Sequence, residues 1–349
     1  MPVTIERPVL PAEARVSDIS ERRRRRGTIR DRGRRLTIGL VNNMPDAALA
    51  ATERQFSGAL ETASGDLEVR LRFYALPQIP RSPEALAHVA QLYAAAAALG
   101  GDSLDALIVT GAQPISPDLE GEPYWRGLTK VIDWAEANTI STMLSCLAAH
   151  AGVRHFSGIA RRALPKKCSG VFVFERVRAD RLTDGASEPW IIPHSRRNGL
   201  DEQDLRRHGY RILTRSTSVG VDLFVKQMRS LLVFLQGHPE YESDTLAREY
   251  RRDLGRRIHG GEFGPLPEMP QAYFSTAAER ALTAFCQEAL AEKRPDAMSS
   301  YPEIGLDGPA DAPWRRSANL LYRNWLGLIA ERKAEAVQNA SSLAARWGG

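Results

Sequence analysis

Two well-separated stretches of this sequence carry side chains that could do nucleophilic chemistry together. The first is Thr139-Ile140-Ser141-Thr142-Met143-Leu144-Ser145-Cys146-Leu147-Ala148-Ala149-His150. It opens as a short apolar, β-branched run, which predicts a buried strand. At Ser145 the pattern changes, and Ala148, Ala149 and Ala151 suit a helix packed closely on the strand it leaves. Cys146 then sits at the sheet edge with the first amides of the helix pointing toward it. That field favours the thiolate, the nucleophilic form. One cysteine at a turn is by itself better explained by burial, since free cysteine packs like a small apolar residue. A base and a group to orient it are needed, and the second stretch has both. Ser230-Leu231-Leu232-Val233-Phe234-Leu235-Gln236 reads as another buried strand, ending in Gly237-His238-Pro239-Glu240-Tyr241. Pro239 pushes His238 toward extended backbone. In extended chain, residues two apart point the same way, so Glu240 can turn back on the His238 ring. The chemistry expected is nucleophilic catalysis: His238 takes the proton of Cys146, and Glu240 holds the imidazole tautomer.

The elements that must position these groups are legible in outline. Leu36-Thr37-Ile38-Gly39-Leu40-Val41-Asn42 is a first strand, ending at the turn Asn42-Asn43-Met44-Pro45-Asp46. A helix through Thr52-Glu53-Arg54-Gln55-Phe56 follows. Leu67 to Phe73 alternates apolar and polar residues, as an edge strand would. Ser82-Pro83 opens an alanine-rich helix predicted to run to about Leu99. Leu104 to Thr110 is a further strand ending in Gly111-Ala112, and a helix near 124–137 leads to the Cys146 strand. Strands separated by helices predict a parallel sheet with right-handed crossovers. In such sheets the site lies beyond the carboxyl ends of the strands, where the Asn42 turn, Gly111, Cys146 and His238 all fall. From 171 to 236 strand-like runs dominate and predict antiparallel pairing. Helices are expected over Thr245–Ile258, near 275–293 and near 315–335, with a Gly- and Pro-rich loop at 259–270.

The chain of 349 residues has a net charge of +5, but the excess is local. Residues 1 to 35 hold eleven arginines against five acids, so the rest of the chain is close to neutral. Arg22 to Arg26 are consecutive. A self-repelling block of this kind predicts a disordered, solubilising extension over 1–35. No aromatic residue is interleaved for base stacking, which speaks against nucleic acid as a partner. No apolar run is long enough to span a membrane, and no apolar segment follows the basic residues as in a secretory signal. The three cysteines, Cys146, Cys168 and Cys286, cannot form a complete disulfide framework. A reducing cytoplasm suits them. No clustered Cys/His spacing marks a metal site.

The residues also carry a resemblance. Cys146 with His238-Pro239-Glu240 resembles the catalytic set of the class I glutamine amidotransferase fold. Within that superfamily the chain is similar to the homoserine O-succinyltransferase family. The matching segments are Leu40-Val41-Asn42-Asn43-Met44-Pro45, Ile108-Val109-Thr110-Gly111-Ala112, Tyr124-Trp125, Lys167-Cys168-Ser169-Gly170-Val171 and Pro193-His194-Ser195-Arg196. Gly237-His238-Pro239-Glu240-Tyr241, Trp314-Arg315, Asn319-Leu320-Leu321 and Asn324-Trp325-Leu326 complete the series. They run in family order from about residue 36 to 330. The resemblance implies an α/β fold with a doubly wound, mainly parallel sheet and helical C-terminal additions. It implies an acyltransferase domain over 36–335 and a short tail over 336–349.

The resemblance also implies the activity. An acyl group would pass from succinyl-CoA or acetyl-CoA to Cys146, and then to the hydroxyl of homoserine, in methionine biosynthesis. Acyl-CoA is a co-substrate, no bound cofactor is expected, and a homodimer fits the family. Glu249 and Arg252 match the pair that holds the amino acid; a plain salt bridge along the helix is the other reading of this pair. Ser195 and Lys167 match further residues of the pocket. His194 reads better as a structural histidine. Backbone amides at Leu147 and near Asn43 would hold the oxyanion. Three positions depart from the family pattern. Ala47 stands where many members have lysine, Leu147 where tryptophan is common, and Ile115 where glutamate or glycine separates acetyl from succinyl donors. Two other readings stay open: L-serine as acceptor, feeding cysteine synthesis, and a glutamine amidotransferase-like hydrolase. The hydrolase would need a synthetase partner, and no G-x-x-x-x-G-K-[ST] loop is present.

Overall fold

A computed structural model of the chain describes residues 3–6, 34–186, 189–259, 266–292, 297–305, 308–309 and 311–347. In chain order the first half contains β1 (Val3–Glu6), β2 (Arg35–Val41), α1 (Asp46–Ser64), β3 (Glu68–Ala75), α2 (Pro83–Leu92), β4 (Tyr93–Ala95), β5 (Ala106–Val109), α3 (Trp125–Asn138), β6 (Ser141–Ser145) and α4 (Leu147–Ser157). The second half contains β7 (Arg162–Arg176), β8 (Trp190–Gly199), α5 (Glu202–Arg207), β9 (Arg211–Ile212), β10 (Thr214–Ser216), β11 (Gly220–Val221), β12 (Leu223–Gln227), β13 (Leu231–Leu235), α6 (Thr245–Ile258), α7 (Thr276–Glu292) and α8 (Arg315–Trp347).

The large sheet has nine strands in the order β1-β3-β2-β5-β6-β13-β12-β9, with β4 added beside β3. Its pairings are parallel except those of β12, which runs against both neighbours. The fold is therefore α/β with a mainly parallel sheet. Side chains alternate across it, as strand geometry requires. Met143 of β6 joins one apolar core and Leu144 the other; Val233 and Phe234 of β13 divide in the same way. Phe56 and Leu60 of α1 and Trp325 of α8 close the first core. Val131 of α3 and Ala148 of α4 close the second. Helices on both faces make the sheet doubly wound. From β2 the chain moves outward to β3 and then returns to β5 on the other side of β2. That reversal is a topological switch point, and the crevice beyond it is the natural place for a ligand.

A second sheet, β11-β10-β7-β8, is antiparallel throughout. A third core, built from α6, α7 and Trp314, packs beside it around Val171.

Some expectations are corrected. The alternating run at Leu67–Phe73 forms β3, which is interior because β1 and β4 pair with its outer side. The alanine-rich helix stops at Leu92 rather than near Leu99. Tyr93-Ala94-Ala95 turns extended to pair with β3, and the Tyr93 hydroxyl is drawn to Glu53 and Asn42. Tertiary contacts override the helix propensity of alanine here. Helix α8 continues to Trp347, beyond the boundary expected at 335. The consecutive arginines 22–26 and residues 260–265 of the expected loop lie outside the described residues.

The N-terminal stretch expected to be disordered contains strand β1, parallel to β3. Glu6 bridges Arg70 at 2.8 Å and Arg72 at 2.7 Å. A chain lacking residues 1 to 30 is therefore expected to keep its kcat but unfold at a lower temperature. Partly exposed pairs and one edge strand are worth roughly 1–2 kcal/mol, or about 2–8 °C in a domain of this size. Thermal denaturation beside steady-state rates checks this; a large fall in kcat in a folded deletion would show that the arm completes the site.

Candidate active site

Cys146 follows β6 directly and stands at the N-cap position of α4. Its amide donates to Leu235 O of β13 at 2.7 Å, and its φ is +53° with ψ at −112°. A side chain in that region is strained by about 1–3 kcal/mol, which is tolerated where the turn serves a function. The strand-to-helix turn lifts Cys146 out of the core while Ser145 and Leu147 on either side stay buried. An ideal Cβ on Gly111 would come within 3.1 Å of the Leu147 amide nitrogen, so glycine lets the β5 turn approach the helix start without displacing it. The other two cysteines are not activated. Burial pushes the thiols of Cys168 and Cys286 up.

His238 stands at the end of the neighbouring strand. Leu235 pairs with Ser145 in register, so the two turns leave the sheet side by side. The His238 amide donates to Pro193 O at 2.8 Å. Its ring stacks on Tyr241, with centroids 4.3 Å apart and planes 15° from parallel. Nδ1 lies 2.8 Å from Glu240 Oε1, and both side chains are buried. The carboxylate accepts, so Nδ1 carries the proton and Nε2 is left for Cys146. Burial works against the imidazolium. The negative charges of Cys146 and Glu240 and the hydrogen bonds to both overcome this, and the His238 pKa is held well above its ordinary value.

A buried polar layer braces the turn from behind. Asp222 Oδ1 accepts from the Gly237 amide at 2.7 Å. His194 Nε2 lies 3.4 Å from the same oxygen, and Arg196 Nε donates to His194 Nδ1 at 3.2 Å. Asp222 and His194 are fully buried. Burial raises the Asp222 pKa to about 6 and drives that of His194 well below its ordinary value, keeping the ring neutral. An ideal Cβ on Gly237 would fall 2.5 Å from Ile192 Cγ2 and 2.7 Å from His194 Nε2. Glycine is required there for close approach. Trp314 Nε1 donates to Tyr241 O at 2.9 Å and ties the far side of the turn.

The remaining predicted side chains meet in a cavity of about 330 Å³ that includes Cys146, His238, Lys167, Ser195, Glu249 and Arg252. Glu249 accepts from the Ser195 hydroxyl, from Tyr241 OH at 2.8 Å, and faces Lys167 Nζ at 3.6 Å. Arg252 turns to Asp253, donating through Nε and Nη2 at 2.9 and 2.8 Å. Lys167 reaches Asp253 at 2.8 Å. Glu249 and Arg252 thus have separate partners, and the plain salt bridge along the helix is not formed. A second cavity, of about 280 Å³, adjoins along α1 and is lined by Ala47, Ala48 and Ala51.

Two predicted residues are not brought to the reacting centre. The Asn43 amide donates to Thr110 Oγ1 at 2.8 Å and is not free for an oxyanion. Ile115 is 71% exposed and lies on neither cavity; Ala112, Gln113 and Pro114 of the same loop line the larger one. The loop turns at Ile115 because buried Glu122 Oε1 accepts the amides of Ile115 and Ser116 at 2.9 and 2.8 Å.

The family is decided by comparison with known proteins. The homoserine O-succinyltransferase family model matches residues 8–335. The chain belongs to the homoserine O-succinyltransferase family. It is 49% identical over 291 residues to a homoserine O-succinyltransferase of Rhodopseudomonas palustris, covering 83% of this chain and 87% of that one. It is 46% identical over 303 residues to that of Methylorubrum extorquens, covering 87% and 90%. Among solved structures it is similar to a glutamine amido transferase from Methylobacillus flagellatus, with 12% identity, a TM-score of 0.46, and coverage of 84% of this chain and 95% of that one.

Sequence reasoning missed several groups that this family member uses to hold its site. Arg81, whose side chain is 3% exposed, donates to Met44 O at 2.7 Å and Asn42 O at 3.2 Å and pairs with Asp46. It holds the Asn42–Asp46 turn from below. Asp222 and Tyr241 brace the His238 turn. Tyr241 lies within the family motif, which is the one signal that pointed to it. Arg81 and Asp222 have no local pattern that would mark them. No helix among the described residues is long and apolar enough to cross a membrane.

Proposed function

We propose that the protein is a homoserine O-acyltransferase that takes a succinyl group from succinyl-CoA and passes it through a thioester on Cys146. The observation that carries this is the Cys146–His238–Glu240 arrangement beyond the carboxyl ends of the adjacent parallel strands β6 and β13, in a chain of this family. In the first half-reaction His238 Nε2 takes the Cys146 proton, and the thiolate attacks the thioester carbonyl. The tetrahedral oxyanion is met by the Leu147 amide, an unpaired donor of the first helical turn. Gly111, packed against that amide, replaces Asn43 as the source of the second donor. Coenzyme A leaves as its thiol, taking the proton from His238. In the second half-reaction the acceptor hydroxyl gives its proton to His238 Nε2 and attacks the acyl-enzyme, and Cys146 leaves.

The electrostatics suit both halves. The Cys146 anion helps to raise the His238 pKa. Once Cys146 is acylated that charge is gone, so His238 becomes easier to deprotonate when a base is required. The acceptor ammonium fits Glu249, and its carboxylate fits Arg252. A screen of acyl-CoA consumption tests the reading. Succinyl-CoA with homoserine is expected to be consumed fastest, against acetyl-CoA and L-serine as alternatives. Ammonia release from glutamine without acyl-CoA consumption would overturn it.

Arg252→Lys tests the acceptor site. Lysine cannot copy a two-bonded guanidinium contact, so the acceptor KM is expected to rise about tenfold or more. The acylation burst of Cys146 should be nearly unchanged, because it precedes acceptor binding. Equal loss in both half-reactions, with a fall in thermal stability, would mean that Arg252 only braces α6.

A further inference from the structure

The larger cavity is unbalanced in charge. Its lining holds six cationic side chains, Arg161, Lys167, Arg196, Arg197, Arg252 and Arg256, against the carboxylates of Glu249 and Asp253. Four of the six are engaged. Lys167 and Arg252 pair with Asp253. Arg196 is buried on His194, Asn198 O and Val219 O. Arg161 donates to the carbonyls of Ser116 and Pro117. Arg197 and Arg256 have no hydrogen-bond or ion-pair partner among the described residues, and both are exposed. Their placement follows from the backbone. Arg197 is two residues beyond Ser195 on β8 and shares its face. Arg256 is one turn beyond Arg252 and two beyond Glu249 on α6. One strand and one helix therefore each present a free guanidinium on the rim of the cavity that contains Cys146.

We propose that Arg197 and Arg256 form an anion clamp for the acyl donor. This rests on the acyl-transfer reading above. Two unopposed cations beside a nucleophile attract an anionic substrate and hold it. The amino-acid acceptor is a zwitterion already matched by Glu249 and Arg252, so the surplus charge belongs to the donor. Succinyl-CoA carries anions at both ends: the terminal carboxylate of the acyl group and the phosphates of the nucleotide. Each is a good guanidinium ligand.

The test reads single-turnover acylation of Cys146 without acceptor, at varied donor concentration. The donors are succinyl-CoA, acetyl-CoA, and the succinyl thioester of N-acetylcysteamine, which keeps the carboxylate and lacks phosphates. Arg197→Ala and Arg256→Ala are each expected to raise the half-saturating concentration of succinyl-CoA about tenfold. Arg→Lys at either position, which keeps the charge, should recover most of the loss. A matching rise for acetyl-CoA but not for the truncated thioester assigns the clamp to the phosphates. A rise for both succinyl donors but not for acetyl-CoA assigns it to the carboxylate. Unchanged half-saturation for every donor, or a rise confined to the acceptor KM, would overturn the clamp. Failure of the unmutated protein to form a thioester with any donor would instead overturn the acyl-transfer reading.

Discussion

Cys146→Ser is expected to abolish the acyl-enzyme and lower kcat by about a thousandfold or more while leaving the fold intact. Serine and cysteine are nearly the same size and bear the same strain at a φ of +53°. What is lost is the thiolate, and with it the charge that helps to keep His238 protonated. Mass spectrometry after incubation with succinyl-CoA alone should find an adduct on Cys146 in the unmutated protein and none in the variant. An adduct on Cys168 or Cys286 instead would sink the assignment, and burial already disfavours thiolate at both. Cys146→Gly separates strain from chemistry. Glycine accepts a positive φ without a steric cost, so this variant should be equally inactive yet more stable by about 1 kcal/mol. Loss of stability in Cys146→Gly would show that the Cys146 side chain is held for packing.

Glu240→Gln should lower kcat by about a hundredfold to ten-thousandfold, because the amide keeps the shape but no longer demands a proton on His238 Nδ1. It should also move a titration. The His238 pKa is raised above its ordinary value of 6.5 in the folded protein. A group of this kind contributes its stabilisation in full below the unfolded pKa and loses it as pH rises through the folded one. Removing the Glu240 charge lowers the folded value. The variant's imidazolium should therefore deprotonate at lower pH, and the stability attributable to it should disappear earlier on the alkaline side. Imidazole NMR titration of both proteins reads this directly. An unchanged His238 titration would mean that Glu240 neither polarises nor orients the ring.

The parts of the site that were legible in the sequence share one physical property: their position follows from local chain geometry. Cys146 and His238 each end a buried apolar strand, and the His-Pro-Glu spacing turns Glu240 back by extended geometry. That β6 and β13 are neighbours was not legible, because the strands of the second sheet intervene in the chain. The register that puts Leu235 beside Ser145 is supplied by the fold. Helix α6 was legible at both ends, and with it the spacing of Glu249 and Arg252.

Tertiary structure decided what depends on partners from other segments. The Asn43 amide was available in the sequence, but Thr110 Oγ1 from the next strand takes it. Ile115 was expected to bear on the acyl donor, yet buried Glu122 holds its amide and leaves the side chain in solvent. An alanine-rich run had the propensity to stay helical past Leu92; the Tyr93 hydroxyl and the open side of β3 drew it into a strand. Arg81 and Asp222 support the site from positions that no periodicity marks, because their partners are backbone groups brought in by other elements. By itself the sequence singled out Cys146, His238, Glu240 and the sheet edge where the structure brings them together, since each is a property of a few consecutive residues. Only the fold determined which amides stay free, which arginines stay unpaired and which side chains line the cavity, since hydrogen bonds and charges are satisfied between segments far apart in the chain.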